Sequence, residues 1–341
     1  MNVPRSLGFF HLQVHPRVLF ALGGVFAILV VATTVLWLLG RWKPNLQLDE
    51  VRLRVRTWWI MAGVFTLALV FDRTISLVFF AFLSFLALKE YLSLIPTRRV
   101  DRAVLFWAYL AIPIQYLWIE MEWYGMFIIW IPIYMFLFLP MRMVLQGETG
   151  GFLRAAGTLH WGLMTMVFSI SHVAFLLVLR APQAELPLRV TQGGAGAAAA
   201  ASVPPLLGGP ALVLYLVFLT QFNDVAQFLW GKALGRRKVV PKVSPNKTIE
   251  GLLGGLATTI VLAVVLAPWL TPLLPREAVA AGVIIGLGGF IGDVVISALK
   301  RDLAIKDSGT LLPGHGGILD RIDSLTYTAP LFFHYVFYLH F

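Results

Sequence analysis

Three carboxylates toward the C-terminal end of the chain, Asp293, Asp320 and Asp323, stand among basic residues and glycines in an otherwise apolar sequence. If the segment around Asp293 is helical, Asp293, Ser297 and Lys300 follow i, i+4, i+7 and share one face. That face is acidic, hydroxylic and basic in turn. Asp320 and Asp323 are three apart, so their carboxylates also converge if a helix begins there. Between Asp293 and Asp320, Gly309, Gly314, Gly316 and Gly317 permit close backbone approach. Three hard oxygen ligands beside Lys and Arg, with no cysteine in the chain, suit Mg²⁺ shared with substrate phosphates. Phosphoryl and nucleotidyl transfer need that equipment: a metal to neutralise charge, and cations to hold the leaving phosphates.

Two further polar blocks precede these. Asn223-Asp224-Val-Ala-Gln227 falls inside an apolar segment, where a carboxylate is costly and reads as functional. The loop from Gly231 to Gly251 carries Lys232, Arg236, Arg237, Lys238, Lys242, Ser244, Lys247, Thr248 and Glu250. Lys and Arg at a helix end also serve orientation in a bilayer, and His315 in its glycine-rich loop reads first as a turn residue. Asp302 reads as a solvated charge, Asp72 and Arg73 as a turn pair. Trp58, Trp107, Trp123 and Tyr327 read as interfacial anchors.

The elements that must position these groups follow from composition. Of 341 residues, 59% are hydrophobic and 13% charged, against roughly 45–50% and 25% in soluble proteins. Disorder, a soluble nucleic-acid binder and a small secreted scaffold explain this composition poorly, and zero cysteines exclude disulfides. The net charge of +10 lies in short runs between apolar segments, which is orientation in a membrane and contact with anionic lipid or phosphate. The expected fold is all-α and polytopic, with about ten spans: Val18–Gly40, Trp58–Phe71, Thr74–Leu88, Ala103–Ile119, Trp123–Leu139, Thr158–Leu179, Ala211–Trp230, Ile249–Leu274, Ala278–Leu299 and Ser324–Phe341. The second and third are short, and are either two spans with a tight turn or a re-entrant pair. The basic loops at 41–56, 89–102 and after Trp230 belong to the cytoplasmic side, and alternation through ten spans puts 300–323 there as well. Glu120, Glu122, the Arg276-Glu277 turn and the low-complexity Gly193–Pro205 stretch fall on the other side, with both chain ends. That stretch divides an N-terminal transmembrane region (1–210) from a C-terminal catalytic region (211–341), within one membrane unit.

The third block resembles the signature of the phosphatidate cytidylyltransferases, the CDP-diacylglycerol synthases. It reads Ser297-x-x-Lys300-Arg301-x(4)-Lys306-Asp307-x-Gly309-x(3)-Pro313-Gly314-His315-Gly316-Gly317-x-x-Asp320-Arg321-x-Asp323-Ser324. Asn223-Asp224-x-Ala226, Gly231-Lys232-x-x-Gly235-Arg236 and Ser244-Pro245-x-Lys247-Thr248-x-Glu250-Gly251 look like further family blocks in the expected order. Lys89-Glu90-Tyr91 is similar to a weaker family feature, and the main resemblance covers Gln221–Ser324.

The resemblance implies a dimeric, all-helical membrane enzyme that joins CTP to phosphatidate. The products are CDP-diacylglycerol and pyrophosphate, and Mg²⁺ acts with a monovalent cation such as K⁺ in the metal centre. By position, Asp293, Asp320 and Asp323 would be metal ligands, and Ser244, Lys247, Thr248, Ser297, Arg301, Lys306 and Arg321 would bind substrate. Lys300 would bind phosphate, and it joins Asp224 and Asp307 as the groups expected to act in catalysis. The implied setting is a bacterial inner membrane, with the active site facing the cytoplasm and no nucleic acid among the partners. Three positions depart from the pattern: Ile296 replaces a common acidic residue, Asn246 a lysine, and Gln227 an aromatic. They leave open a related nucleotidyl- or phosphotransferase with a different lipid acceptor. An ion-coupled transporter is a more distant alternative, since the acidic groups cluster with Lys and Arg on one side.

Overall fold

A computed structural model of the chain describes residues 15–42, 48–98, 101–179, 208–309 and 316–341. Its helices are α1 (Pro16–Trp42), α2 (Asp49–Val70), α3 (Arg73–Leu94), α4 (Arg102–Glu120), α5 (Tyr124–Val144), α6 (Phe152–Val178), α7 (Gly209–Leu234), α8 (Ile249–Leu270), α9 (Pro275–Asp302), the single turn α10 (Leu319–Ile322) and α11 (Leu325–His340). Among the described residues, nine helices are long and apolar enough to cross a membrane. The tenth expected span is α11, which has 16 residues. The protein is an all-α polytopic membrane protein. The Gly193–Pro205 stretch lies outside the described residues.

The short second and third segments are two full helices of 22 residues each, joined by a tight turn, so the re-entrant alternative falls away. Both extend past the apolar runs into charged sequence, which hydropathy alone undercounts. Asp72 explains the sharp start of α3, because its carboxylate accepts the Thr74 N–H. Its neighbour Arg73 is no partner for that turn. It pairs instead with Glu120, the last residue of α4, and with Glu122 just beyond it. Helices α5 and α6 each contain a wider π-helical stretch, at Trp130–Met135 and Leu163–Phe168.

One irregular piece interrupts the helices. The basic loop after α7 folds into an antiparallel hairpin of β1 (Lys238–Val240) and β2 (Ser244–Thr248). Thr248 then ends the hairpin and starts α8, since its hydroxyl accepts the Gly251 N–H at 3.1 Å.

Packing around the C-terminal helices depends on absent side chains. A Cβ on Gly255 would lie 2.3 Å from the Gln227 side chain, so glycine lets α7 and α8 touch backbone to backbone. Polar ties fix the register of this bundle. Fully buried Asn223 donates to the Gly286 carbonyl at 3.2 Å and accepts from Thr259 at 3.0 Å, joining α7, α8 and α9. Thr220 and Thr328 join α7 to α11 at 3.1 Å.

The polar contacts sort to two ends. One end holds Arg73 with Glu120 and Glu122, Tyr124 with Tyr338, and His340 with Glu277. The other holds the basic hairpin, the end of α9, the 303–323 connection and Arg98, which binds Asp101 and the carbonyls of Glu148 and Gly150. This division matches the one drawn from loop charge.

Candidate active site

Helix α7 brings Asp224 to the basic end of the bundle, where Ser324 donates its hydroxyl toward both carboxylate oxygens at 2.9 and 3.1 Å. Helix α9 supplies Asp293. One of its oxygens accepts from Ser297 at 3.1 Å, one turn along the same face, as the i, i+4 spacing predicts. The other meets Lys247 Nζ at 2.5 Å. The same ammonium lies 4.8 Å from the centre of the Phe290 ring, so β2 is pinned to α9 by an ion pair and a cation–π contact.

Asp323 follows the end of α10, where the backbone of Asp323 and Ser324 packs tightly against α9. A Cβ on Gly292 would come within 2.5 Å of the Asp323 carbonyl oxygen. The Asp323 carboxyl accepts the Ser324 N–H at 2.7 Å. Burial pushes it well above the usual carboxylate range, and the nearby charges of Asp293 and Asp224 add to that. Arg321 partly offsets the three acids, and its Nε is buried without a hydrogen-bond partner. The centre of the site is therefore Asp224, Asp293 and Asp323 facing Lys247 and Arg321.

Asp320 belongs to a different assembly. One oxygen accepts Lys300 Nζ at 2.6 Å. The other accepts the N–H of Ser308 at 2.9 Å, the Ser308 hydroxyl at 2.9 Å and the N–H of Gly317 at 3.0 Å. Burial by itself would raise this carboxyl. The Lys300 bond, followed by the backbone donors, outweighs that and holds it below the usual range. These four bonds, three of them on one oxygen, commit Asp320 to closing the loop.

Other expected site residues separate into used and unused groups. Thr248 is committed to capping α8, and Arg301 donates to the carbonyls of Val243 and Ile305, holding the hairpin to the end of α9. Ser244 lies partly buried on β2, and Lys306 and Asp307 are exposed. His315 lies outside the described residues.

Two organising carboxylates were not in the expected set. Glu90, near the end of α3, accepts the Ser308 hydroxyl at 2.5 Å and the N–H groups of Ile318 and Leu319 at 2.8 and 3.0 Å. Glu250 accepts the N–H groups of Arg236 and Arg237 at 2.9 and 3.2 Å, shaping the basic hairpin. Only the Lys89-Glu90-Tyr91 resemblance hinted at the first.

Among the described residues, no three His, Asp or Glu side chains already stand as a ready ligand group for one metal ion. The donor chemistry at Asp224, Asp293 and Asp323 nevertheless fits a hard cation, being three carboxyl groups and all oxygen.

A model of the cytidylyltransferase family matches residues 52–339, which takes in every group just described. The chain belongs to the cytidylyltransferase family. It is 46% identical over 322 residues to the uncharacterized protein YnbB of Escherichia coli, covering 93% of this chain and 98% of that one. It is also 40% identical over 133 residues to the phosphatidate cytidylyltransferase of Haemophilus influenzae, covering 38% of this chain and 46% of that enzyme. A Staphylococcus aureus phosphatidate cytidylyltransferase is 40% identical over 121 residues, covering 35% and 46%. The chain thus spans a little under half the length of the phosphatidate cytidylyltransferases it matches. As a member of the cytidylyltransferase family with nine spanning-length helices among the described residues, the protein is a membrane-embedded nucleotidyltransferase.

Proposed function

We propose that the protein transfers the cytidylyl group of CTP to phosphatidate, giving CDP-diacylglycerol and pyrophosphate. The observation that carries this reading is the group Asp224, Asp293 and Asp323 facing Lys247 and Arg321, at the basic end of a bundle that belongs to the cytidylyltransferase family. One substrate carries two acyl chains and the other is a soluble polyanion. A site at the ends of spanning helices meets both.

In this reading the lipid phosphate oxygen attacks the α-phosphorus of CTP in line. A new P–O bond forms to the lipid, the bond to the β-phosphate bridge breaks, and pyrophosphate leaves. The nucleophile is already anionic, so placement and charge neutralisation carry most of the rate. Arg321, with its unpartnered Nε, and Lys247 bind phosphate oxygens. Asp224, Asp293 and Asp323 hold Mg²⁺, which when bound neutralises charge on the triphosphate. A monovalent cation such as K⁺ belongs to the same centre by family resemblance alone. Lys300, Asp320, Ser308 and Glu90 keep the connection between α9 and α10 in shape. The Lys- and Arg-rich end faces the cytoplasm, in keeping with the charge rule for short loops. A bacterial inner membrane and a homodimer belong to the same reading.

A different lipid phosphate as acceptor is the second reading. Gln227 favours it: it stands one turn from Asp224, is buried, and leaves its side-chain N–H₂ without a partner. The experiment is purified protein with CTP labelled at the α-phosphate, Mg²⁺ and a panel of lipid phosphates. Label in CDP-diacylglycerol alone supports the first reading. Label only on another lipid phosphate replaces it with the second.

A further inference from the structure

A cavity of about 620 Å³ lies on the far side of α9 from the carboxylates. Asp293, Ser297 and Lys300 look toward the site. Val295, Leu299 and Asp302 line the cavity, and stand roughly 180–240° around the helix from Asp293. The cavity's other walls are the end of α3, the start of α4, the end of α5 and the start of α6, so it sits at the basic end of the bundle. Its size is that of a ligand pocket, about 300–1,000 Å³.

The lining is largely apolar and includes four charged residues. Leu105, Met143, Leu159 and Leu299 form the wall. Of the four charged residues, Arg98 and Asp101 are spent on each other in a two-pronged pair, at 2.6 and 2.9 Å. That leaves Arg154 and Asp302. Both are exposed, and among the described residues neither takes part in an ion pair. One free cation and one free anion beside apolar lining residues match a headgroup carrying both signs.

We propose that this cavity binds a zwitterionic phospholipid, with its phosphate at Arg154, its ammonium at Asp302 and an acyl chain along the apolar wall. The site differs in charge demand from the transfer site, whose substrates are all anionic. The bound lipid would rest against α9 on one side and, through Tyr91 and Leu92, against the helix that carries Glu90 on the other.

Gly157 provides the test. It lines the cavity, and a Cβ there meets nothing within 4 Å, so Gly157→Leu adds bulk from an open position. Full-length protein would be stripped of lipid in detergent and titrated with dioleoyl phosphatidylethanolamine or dioleoyl phosphatidylglycerol, with adducts counted by native mass spectrometry. The expected result is one tight ethanolamine-lipid adduct, weakened about tenfold or more by Gly157→Leu. Asp302→Asn, a change at an exposed residue, should erase the preference for ethanolamine over glycerol lipid by about tenfold. Equal binding of the two lipids by the unaltered protein would overturn the proposal. So would an ethanolamine-lipid adduct indifferent to both substitutions.

Discussion

Glu90 and Leu319 stand 229 residues apart in the chain and are joined by a 3.0 Å hydrogen bond from the Leu319 N–H to the Glu90 carboxylate. With the bonds from Ile318 and Ser308, this makes the last turn of α3 the anchor for the connection that delivers Asp323. The N-terminal half thus contributes to the shape of the site. Glu90→Gln keeps the size but loses the charge that gathers three donors. Cytidylyl transfer should fall about 10–100-fold, as when supporting groups of a metal site are altered. Faster hydrogen exchange at Ile318 and Leu319 should accompany the loss, and unchanged exchange would show that the clamp is not what holds the loop.

Asp323→Asn removes the carboxylate most enclosed by other acids while leaving its hydrogen bond geometry to Ser324 close to intact. Turnover should drop by about 10³-fold or more with the protein still inserted and folded. Near-normal Mg²⁺-dependent transfer would refute the assignment of this residue to the metal.

Lys247→Gln separates binding from chemistry. The ammonium touches Asp293 and Phe290, and faces the space assigned to the triphosphate. Initial rates against CTP concentration should show KM raised about tenfold or more, reflecting a lost charge-assisted bond. If KM for CTP stays fixed, Lys247 holds only the hairpin.

Asp320→Asn tests loop closure. Lys300 and Asp320 are both largely buried, and removing one charge strands the other at a cost of about 3–5 kcal/mol. The thermal unfolding midpoint in detergent should fall accordingly, and the double change Asp320→Leu with Lys300→Met should recover much of it. The sign with pH is also fixed. Because the folded carboxyl titrates below its unfolded value, near ~3.9, its contribution is complete above that pH. It is lost only as pH falls through the lower folded value. The unaltered loop should hold to more acid pH than an ordinary aspartate would allow.

The helical face of α9 was legible in sequence because period and polarity coincided: Asp293, Ser297 and Lys300 lie on one side as their spacing requires. Span order and the two-ended division of charge were legible for the same reason, since burying charge in lipid is costly along the whole chain. The commitment of Asp320 to the loop was not. The spacing of three from Asp320 to Asp323 is satisfied locally, but Lys300, Ser308 and Gly317 claim Asp320, and those partners come from beyond the helix. Glu90 was hidden by separation in sequence, and the β1–β2 hairpin by its shortness, since a three-residue strand carries no readable alternation.

The pairing of Arg73 with acids 47 and 49 residues further on also bears on how the chain is made. Helices α2 and α3 have almost no connection between them, so they must enter the bilayer as a pair. The cation at their shared tip then waits at the lipid headgroups until α4 has followed. At roughly 5–20 residues per second of synthesis, that delay is on the order of 2–10 s. A ribosome-stalled fragment ending shortly after α3 should leave that guanidinium open to water and chemical labelling, and one extended past Glu122 should conceal it.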